Sequence, residues 1–137
     1  VQGALEDGIV PGGGTAYLAA HEAIVGQCPS KEPEIIAGWN IMATALRRPL
    51  ETLATNAGKN GEFMSEKLLD MRNGNAASWR GWDAIRDEFR DFADDGSVVD
   101  PTRVALAVIE TAASAASTLL TSEASISEDQ PGYPTRR

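Results

Sequence analysis

A mainly α-helical fold is what this sequence predicts, and three observations carry it. Ile35, Trp39, Met42, Leu46, Leu50, Leu53 and Ala57 recur at three- and four-residue spacing, the repeat that lines one helix face. Asp100-Pro101-Thr102 reads as a strong helix start, with the carboxylate at the N-cap and proline in the first position, and the helix continues to about Thr121. Near the N-terminus, Pro11-Gly12-Gly13-Gly14-Thr15 leads straight into Ala16-Tyr17-Leu18-Ala19-Ala20, a further helical run.

The chain has 137 residues, 42% apolar and 23% charged, enough for one domain with a real core and ordinary for a soluble globular protein. A net charge of −8 argues against binding nucleic acid or an anionic membrane. The single cysteine, Cys28, cannot form an internal disulfide, which fits a reducing compartment. No apolar run of membrane-spanning length and no signal-like N-terminus is apparent in the sequence. The first residue is Val1 rather than methionine, as expected of a piece of something longer.

Taken in order, the chain opens on Gly8-Ile9-Val10-Pro11-Gly12-Gly13-Gly14-Thr15. Glycine permits positive φ and removes the Cβ that would hold a ligand away. A helix beginning there leaves unpaired N–H groups at the positive end of its dipole, which suits an anion or polar ligand lying against the main chain. The same turn also serves to let a helix pack closely. It lacks the Lys-Ser/Thr of a P-loop and the spacing of a dinucleotide fingerprint. Residues 14–25 form the first helix, with Tyr17, Leu18, Ile24 and Val25 as its apolar members. His21 has no Cys or His neighbour and reads as a surface or hydrogen-bonded residue rather than a ligand.

Residues 27–33 are polar, carry two prolines and form a loop. The long periodic stretch from Glu34 is interrupted at Pro49, which predicts a kink or a fresh start with Pro49 in the first turn of the second piece. Asn56-Ala57-Gly58 is a glycine stop, Asn60-Gly61 a turn, and 62–71 another helix with Met64, Leu68 and Met71 on one side. A loop spans 72–80. Residues 81–95 are ambiguous between a short helix and a small β-hairpin. Asp83, Asp87, Glu88, Asp91, Asp94 and Asp95 lack metal-loop spacing and read as a solvated acidic face. In the last helix, Ala112-Ala113-Ser114-Ala115-Ala116-Ser117 is all small residues, so another helix can approach closely, and a central, buried position is expected. The polar stretch 123–137 is expected to be an exposed, mobile tail unless it pairs with something.

The order of these elements resembles a known family. Glu6-Asp7-Gly8-Ile9-Val10-Pro11-Gly12-Gly13-Gly14 is similar to the glycine-rich turn in the C-terminal part of the equatorial domain of group I chaperonins, the Hsp60 family. Pro49-Leu50 followed by Asn56-Ala57-Gly58 resembles its Pro-Leu…Asn-Ala-Gly stretch, and Gly81-Trp82-Asp83-Ala84 its Gly-Tyr-Asp/Asn-Ala. Val98-Val99-Asp100-Pro101-Thr102-Arg103-Val104 matches its Ile-Ile-Asp-Pro-Thr-Lys-Val, and the Ala/Ser-rich helix with Leu119-Leu120-Thr121 continues the match. The resemblance runs from Ala4 to about Ser127.

The resemblance implies an ATP site. Gly13, with Gly12, falls where the family's backbone borders the ribose. Asp83, Ala84 and Ile85 fall on the segment lining the adenine, Val98 on an apolar contact to the base, and Asp100 on the carboxylate that bonds the ribose hydroxyls. No catalytic or metal-ligating residue falls within the chain. The family's phosphate loop and metal-binding aspartate belong to the N-terminal half of the equatorial domain, and its water-activating carboxylate lies upstream of the residue matching Val1. Mg and K ions of the intact site therefore have no ligands here, and ATP hydrolysis by this chain alone is not expected. Departures from the family pattern are Ile85 in place of alanine, a longer 73–80 loop, an extra residue at Ser97, and no glycine-methionine tail.

The sequence thus predicts a helical C-terminal part of an equatorial ATP-binding domain over 1–122, with a small β-hairpin as an option, and a tail over 123–137. The implied partners are ring-forming chaperonin subunits, the remainder of the same subunit, a co-chaperonin and unfolded proteins, in the cytoplasm or an organellar matrix. Two rivals stand beside it. One is a stand-alone helical interaction protein with a degenerate nucleotide site, favoured by Ile85. The other is a small nucleotide- or anion-binding enzyme built on Gly12-Gly13-Gly14, disfavoured by the lack of a nucleophile or base cluster.

Overall fold

The structure, a computed structural model, describes residues 7–94 and 96–122. The elements run β1 (Ile9–Pro11), α1 (Thr15–Ile24), α2 (Pro33–Ala45), α3 (Arg48–Asn56), α4 (Gly61–Arg72), β2 (Arg80–Asp83), β3 (Glu88–Asp91), β4 (Val99–Pro101) and α5 (Thr102–Leu120). The mainly helical reading holds, and the ambiguous segment forms a hairpin over Arg80–Asp83 and Glu88–Asp91. The tail predicted over 123–137 lies outside the described residues.

Pro49 sits in the first turn of α3, as its missing N–H and fixed φ favour. The long periodic stretch is therefore two helices rather than one kinked one. Gly58, at φ 78°, ends α3 in the left-handed cap conformation. Asn60 does more than turn the chain: its side-chain oxygen accepts from Phe63 N at 2.9 Å, capping α4, which starts at Gly61.

Leu18 of α1, Leu50 and Ala54 of α3, Met64 and Leu68 of α4, and Trp82 of β2 form the core, with Leu53, Leu69, Ala84 and Phe89 packed at its margin. Each buried leucine contributes about 1.5–3 kcal/mol. The predicted apolar face divides accordingly. Leu46 and Leu50 are buried, while Ile35 and Met42 are exposed, as are Ile36 and Ile41, which lie off that face of α2. His21 is hydrogen-bonded, its Nδ1 lying 2.7 Å from the Ala43 carbonyl. Trp39 ties α2 to α1 by donating from Nε1 to Ile24 O at 2.8 Å.

Two two-stranded antiparallel sheets complete the described fold. In one, β1 pairs with β4, Val10 opposite Asp100; in the other, β2 pairs with β3, Trp82 opposite Phe89. The pairing of β4 displaces one expectation. Asp100 is a strand residue rather than an N-cap, and Pro101 stands opposite Ile9, because the ladder to β1 holds both in extended conformation before α5 begins at Thr102. Asp83 departs from the solvated acidic face: it is buried.

The chain divides into two units by its internal contacts, 1–106 and 107–137. The described part of the second, 107–122, consists of the remainder of α5 and the two residues after it. No residue of α5 is buried, contrary to the central position expected of it. The small-residue run supplies a surface that another helix can approach. At 19 residues and a mean hydropathy of 1.3, α5 also meets the length and composition of a membrane span, which the sequence reading did not find. Its Val, Ile, Leu and Ala are interrupted by Ser, Thr, Arg103 and Glu110, so no uninterrupted apolar run of spanning length marks it. Core helices of soluble folds share that composition.

Arg72, the last residue of α4, is the most heavily bonded side chain described. Its guanidinium donates to Glu22 at 2.6 Å and to the carbonyls of Ser78 at 2.6, Arg80 at 3.0, Ala76 at 3.2 and Asn75 at 3.3 Å. It thereby fastens the 73–79 loop to the end of α4 and to α1. Removing one partner of a buried ion pair leaves an uncompensated charge. Arg72→Met is expected to lower stability by about 3–5 kcal/mol, and adding Glu22→Gln to recover part of the loss. Denaturant melts check both; a loss below about 1 kcal/mol for Arg72→Met would show that the loop holds without the guanidinium.

Candidate functional site

The three consecutive glycines each answer a different demand. Gly12 N–H donates to the Val98 carbonyl at 2.9 Å, and a Cβ there would come within 3.1 Å of Val99 N. Gly14 caps α1 at φ 80°, and a Cβ there would lie 2.7 Å from Leu50 N. These two positions are glycine for the protein's own packing. Gly13 differs. Its φ of 61° favours glycine, but a Cβ would stand at ordinary contact distance from Val98 Cγ1 (3.6 Å), Trp82 O (3.7 Å) and Leu53 Cδ2 (3.8 Å). The turn, closed by Thr15 N donating to Gly12 O at 3.0 Å, is therefore where α3, β2 and the approach to β4 come together.

Val98 and Asp100 flank this turn. Val98 is half-buried and accepts the Gly12 bond. Asp100, held in register with Val10, is half-buried, and among the described residues nothing is hydrogen-bonded to its carboxylate. It faces Tyr17: burial, and after it the negative charge of Asp100, push the Tyr17 phenol above its ordinary pKa. Both effects disfavour the tyrosinate.

The third predicted segment is placed differently. Asp83 Oδ1 accepts from Ile85 N at 3.0 Å and Arg86 N at 3.1 Å, and Oδ2 stands 3.6 Å from Arg90 Nη1. The carboxylate thus shapes the hairpin turn. Ala84 packs at the core margin, and Ile85 is 96% exposed. Gly12, Gly13 and Val98 converge with Trp82, and Asp100 follows two residues after Val98, whereas Asp83 is committed to its own loop and Ile85 is exposed. Tyr17, Leu53 and Trp82 join the site without having been picked out. Tyr17 stands four residues after Gly13 in the first turn of α1, a spacing that could have marked it.

A carboxylate with free acceptor capacity, an apolar valine and a glycine backbone suit a polar ligand with hydroxyl groups and an apolar face. The residues present therefore fit a nucleoside. A separate groove of about 260 Å³, lined by Ile9, Val10, Ala16, Ala19, Ala77 and Trp79 among others, holds none of the predicted residues.

The sequence model of the TCP-1/cpn60 chaperonin family matches residues 1–130. Among solved structures, the chain is similar to the open-state monomer of a group II chaperonin from Methanococcoides burtonii, at 23% identity and a TM-score of 0.73 over 84% of this chain and 28% of that one. It is also similar to a group III chaperonin in the open state, at 29% identity and a TM-score of 0.75 over 90% of this chain and 25% of that one. The chain thus spans about a quarter of the length of the chaperonin chains it matches.

Two measurements separate the roles of these residues. In denaturant melts, Gly13→Ala should cost about 1–2 kcal/mol of backbone strain, and Gly14→Ala about 1–3 kcal/mol more, since its Cβ meets the backbone of Leu50; equal losses would mean the crowding at Gly14 relaxes away. In an alkaline titration of tyrosinate absorbance in a Tyr133→Phe background, Asp100→Asn should bring the Tyr17 midpoint down, yet leave it above the ordinary value because burial persists. The folded state keeps its proton where the unfolded chain has lost it. Stability is therefore complete below the unfolded tyrosine pKa and falls as pH rises through the folded one. An unchanged midpoint would show that Asp100 does not face Tyr17.

Proposed function

The chain belongs to the TCP-1/cpn60 chaperonin family, and from that premise we propose that it is the C-terminal part of an equatorial domain and supplies the adenosine-binding half of an ATP site. One observation carries this reading: Gly12, Gly13 and Val98 meet, and two residues on, Asp100 carries a carboxylate to which no described group is hydrogen-bonded. In this reading the Asp100 oxygens accept the ribose hydroxyls, Val98 lies against the base, and Gly13 leaves the ribose room that a side chain would take. When bound, ATP supplies the phosphoryl transfer that drives a folding cycle, with Mg and K held by parts of the subunit outside these residues.

The group I assignment belongs to the proposal. It rests on Val98-Val99-Asp100-Pro101-Thr102 and the other three motifs, while the two solved structures compared are of groups II and III. So do assembly with other chaperonin subunits in a ring, service to unfolded proteins with a co-chaperonin, and a cytoplasmic or organellar-matrix setting. The second reading, an interaction protein with a degenerate site, is favoured by the inward commitment of Asp83 and the exposure of Ile85.

Nucleotide titration of the intact subunit decides between them. Gly13→Val should weaken ATP binding at least about tenfold, equivalent to about 1.4 kcal/mol, while the ligand-free melt falls only by the strain of a side chain at positive φ. Unchanged affinity beside lowered stability would show the turn to be a packing device. Absence of nucleotide binding by the unmutated subunit would establish the second reading.

A further inference from the structure

Asparagine followed by glycine occurs twice, at Asn60-Gly61 and Asn73-Gly74, and the two sites sit in opposite surroundings. Asn60 has its side-chain oxygen engaged by Phe63 N at 2.9 Å. Gly61 is buried in the first turn of α4, packed so closely on the Glu51 carbonyl that a Cβ would collide with it. Asn73 and Gly74 are exposed, both at positive φ (52° and 73°), just past the last turn of α4. The Asn73 backbone N–H donates to Leu69 O at 3.0 Å, but among the described residues nothing bonds its side-chain amide or the Gly74 N–H, and a Cβ on Gly74 would meet nothing within 4 Å.

We propose that Asn73 is a site of spontaneous deamidation and isoaspartate formation, and that Asn60 is protected by its role as a helix cap. The Gly74 backbone nitrogen attacks Cγ of Asn73. The new N–Cγ bond forms as the Cγ–Nδ2 bond breaks, and ammonia leaves with the proton from the Gly74 amide. Water then opens the five-membered imide at either carbonyl, giving aspartate or, with the chain rerouted through the side chain, isoaspartate. No oxidant or reductant is involved. Reaction at Asn73 requires rotation about its Cα–C bond within a turn closed by Asn75 N donating to Arg72 O at 3.1 Å. Reaction at Asn60 requires opening the first turn of α4 and withdrawing Gly61 from Glu51, and each 1.4 kcal/mol of that opening slows it about tenfold. The product places a carboxylate at the negative end of the α4 dipole, and the isoaspartyl form lengthens the backbone of the loop that Arg72 fastens.

The test is incubation of the full chain in mildly alkaline buffer, folded and in denaturant, followed by peptide mass spectrometry with isoaspartyl-specific methylation. In the folded chain the Asn73 peptide should convert at least about tenfold faster than the Asn60 peptide, and in denaturant the two rates should converge. Gly74→Ala should suppress conversion at Asn73 alone. Equal rates in the folded chain, or an Asn73 that converts only in denaturant, would overturn the proposal.

Discussion

Backbone lies directly against backbone at the glycine turn, and much of the described fold depends on that approach. At Gly14 the chain runs so close to the first turn of α3 that only hydrogen fits, and at Gly12 it is hydrogen-bonded to the strand approach before β4. These contacts set the position of α1 relative to α3. The core follows from that placement, because Leu18 reaches Leu50, Ala54 and Trp82 only when α1 enters at this distance. A single short turn therefore governs both the packing and the surface on which Val98 and Asp100 are displayed.

Much of this was legible in the chain itself. Pro49, Gly58 and the apolar spacing of Leu46, Leu50 and Leu53 are local signals, and the helices they mark are where they were expected. What escaped was set by distant partners. Asp100-Pro101 carries a strong local preference for a helix start, yet pairing with Ile9 and Val10 holds both residues in a strand. Asp83 looked like one acid among many, but its neighbours in the turn and Arg90 draw it inward. Of the seven residues singled out for a ligand, Gly12 and Gly13 lie against Val98, and Asp100 stands opposite Val10 in the ladder. Asp83 and Ile85 are directed elsewhere by the turn chemistry of the hairpin.

The helices differ sharply in how much of their apolar surface is used. α3 and α4 bury Leu50, Ala54, Met64 and Leu68 while Phe63 and Met71 of α4 are exposed, α2 shows three isoleucines and a methionine, and α5 has no buried residue. Apolar spacing on its own tells which face of a helix is built to be covered. It does not tell whether the covering element lies within the same stretch of chain.

The ladder between β1 and β4 has a consequence for the order of assembly. Val10 and Asp100 stand ninety positions apart, whereas the β2–β3 hairpin closes over a four-residue turn. Closing the longer loop costs about 3 kcal/mol more in chain entropy, and that cost falls only as α1 to α4 condense and shorten the effective span. The hairpin and the α3–α4 pair can therefore form early from local contacts, and the strand bearing Asp100 is captured late. The surface bearing Val98 and Asp100 is thus the last part of the body to acquire its geometry and, by the same reasoning, among the first to lose it.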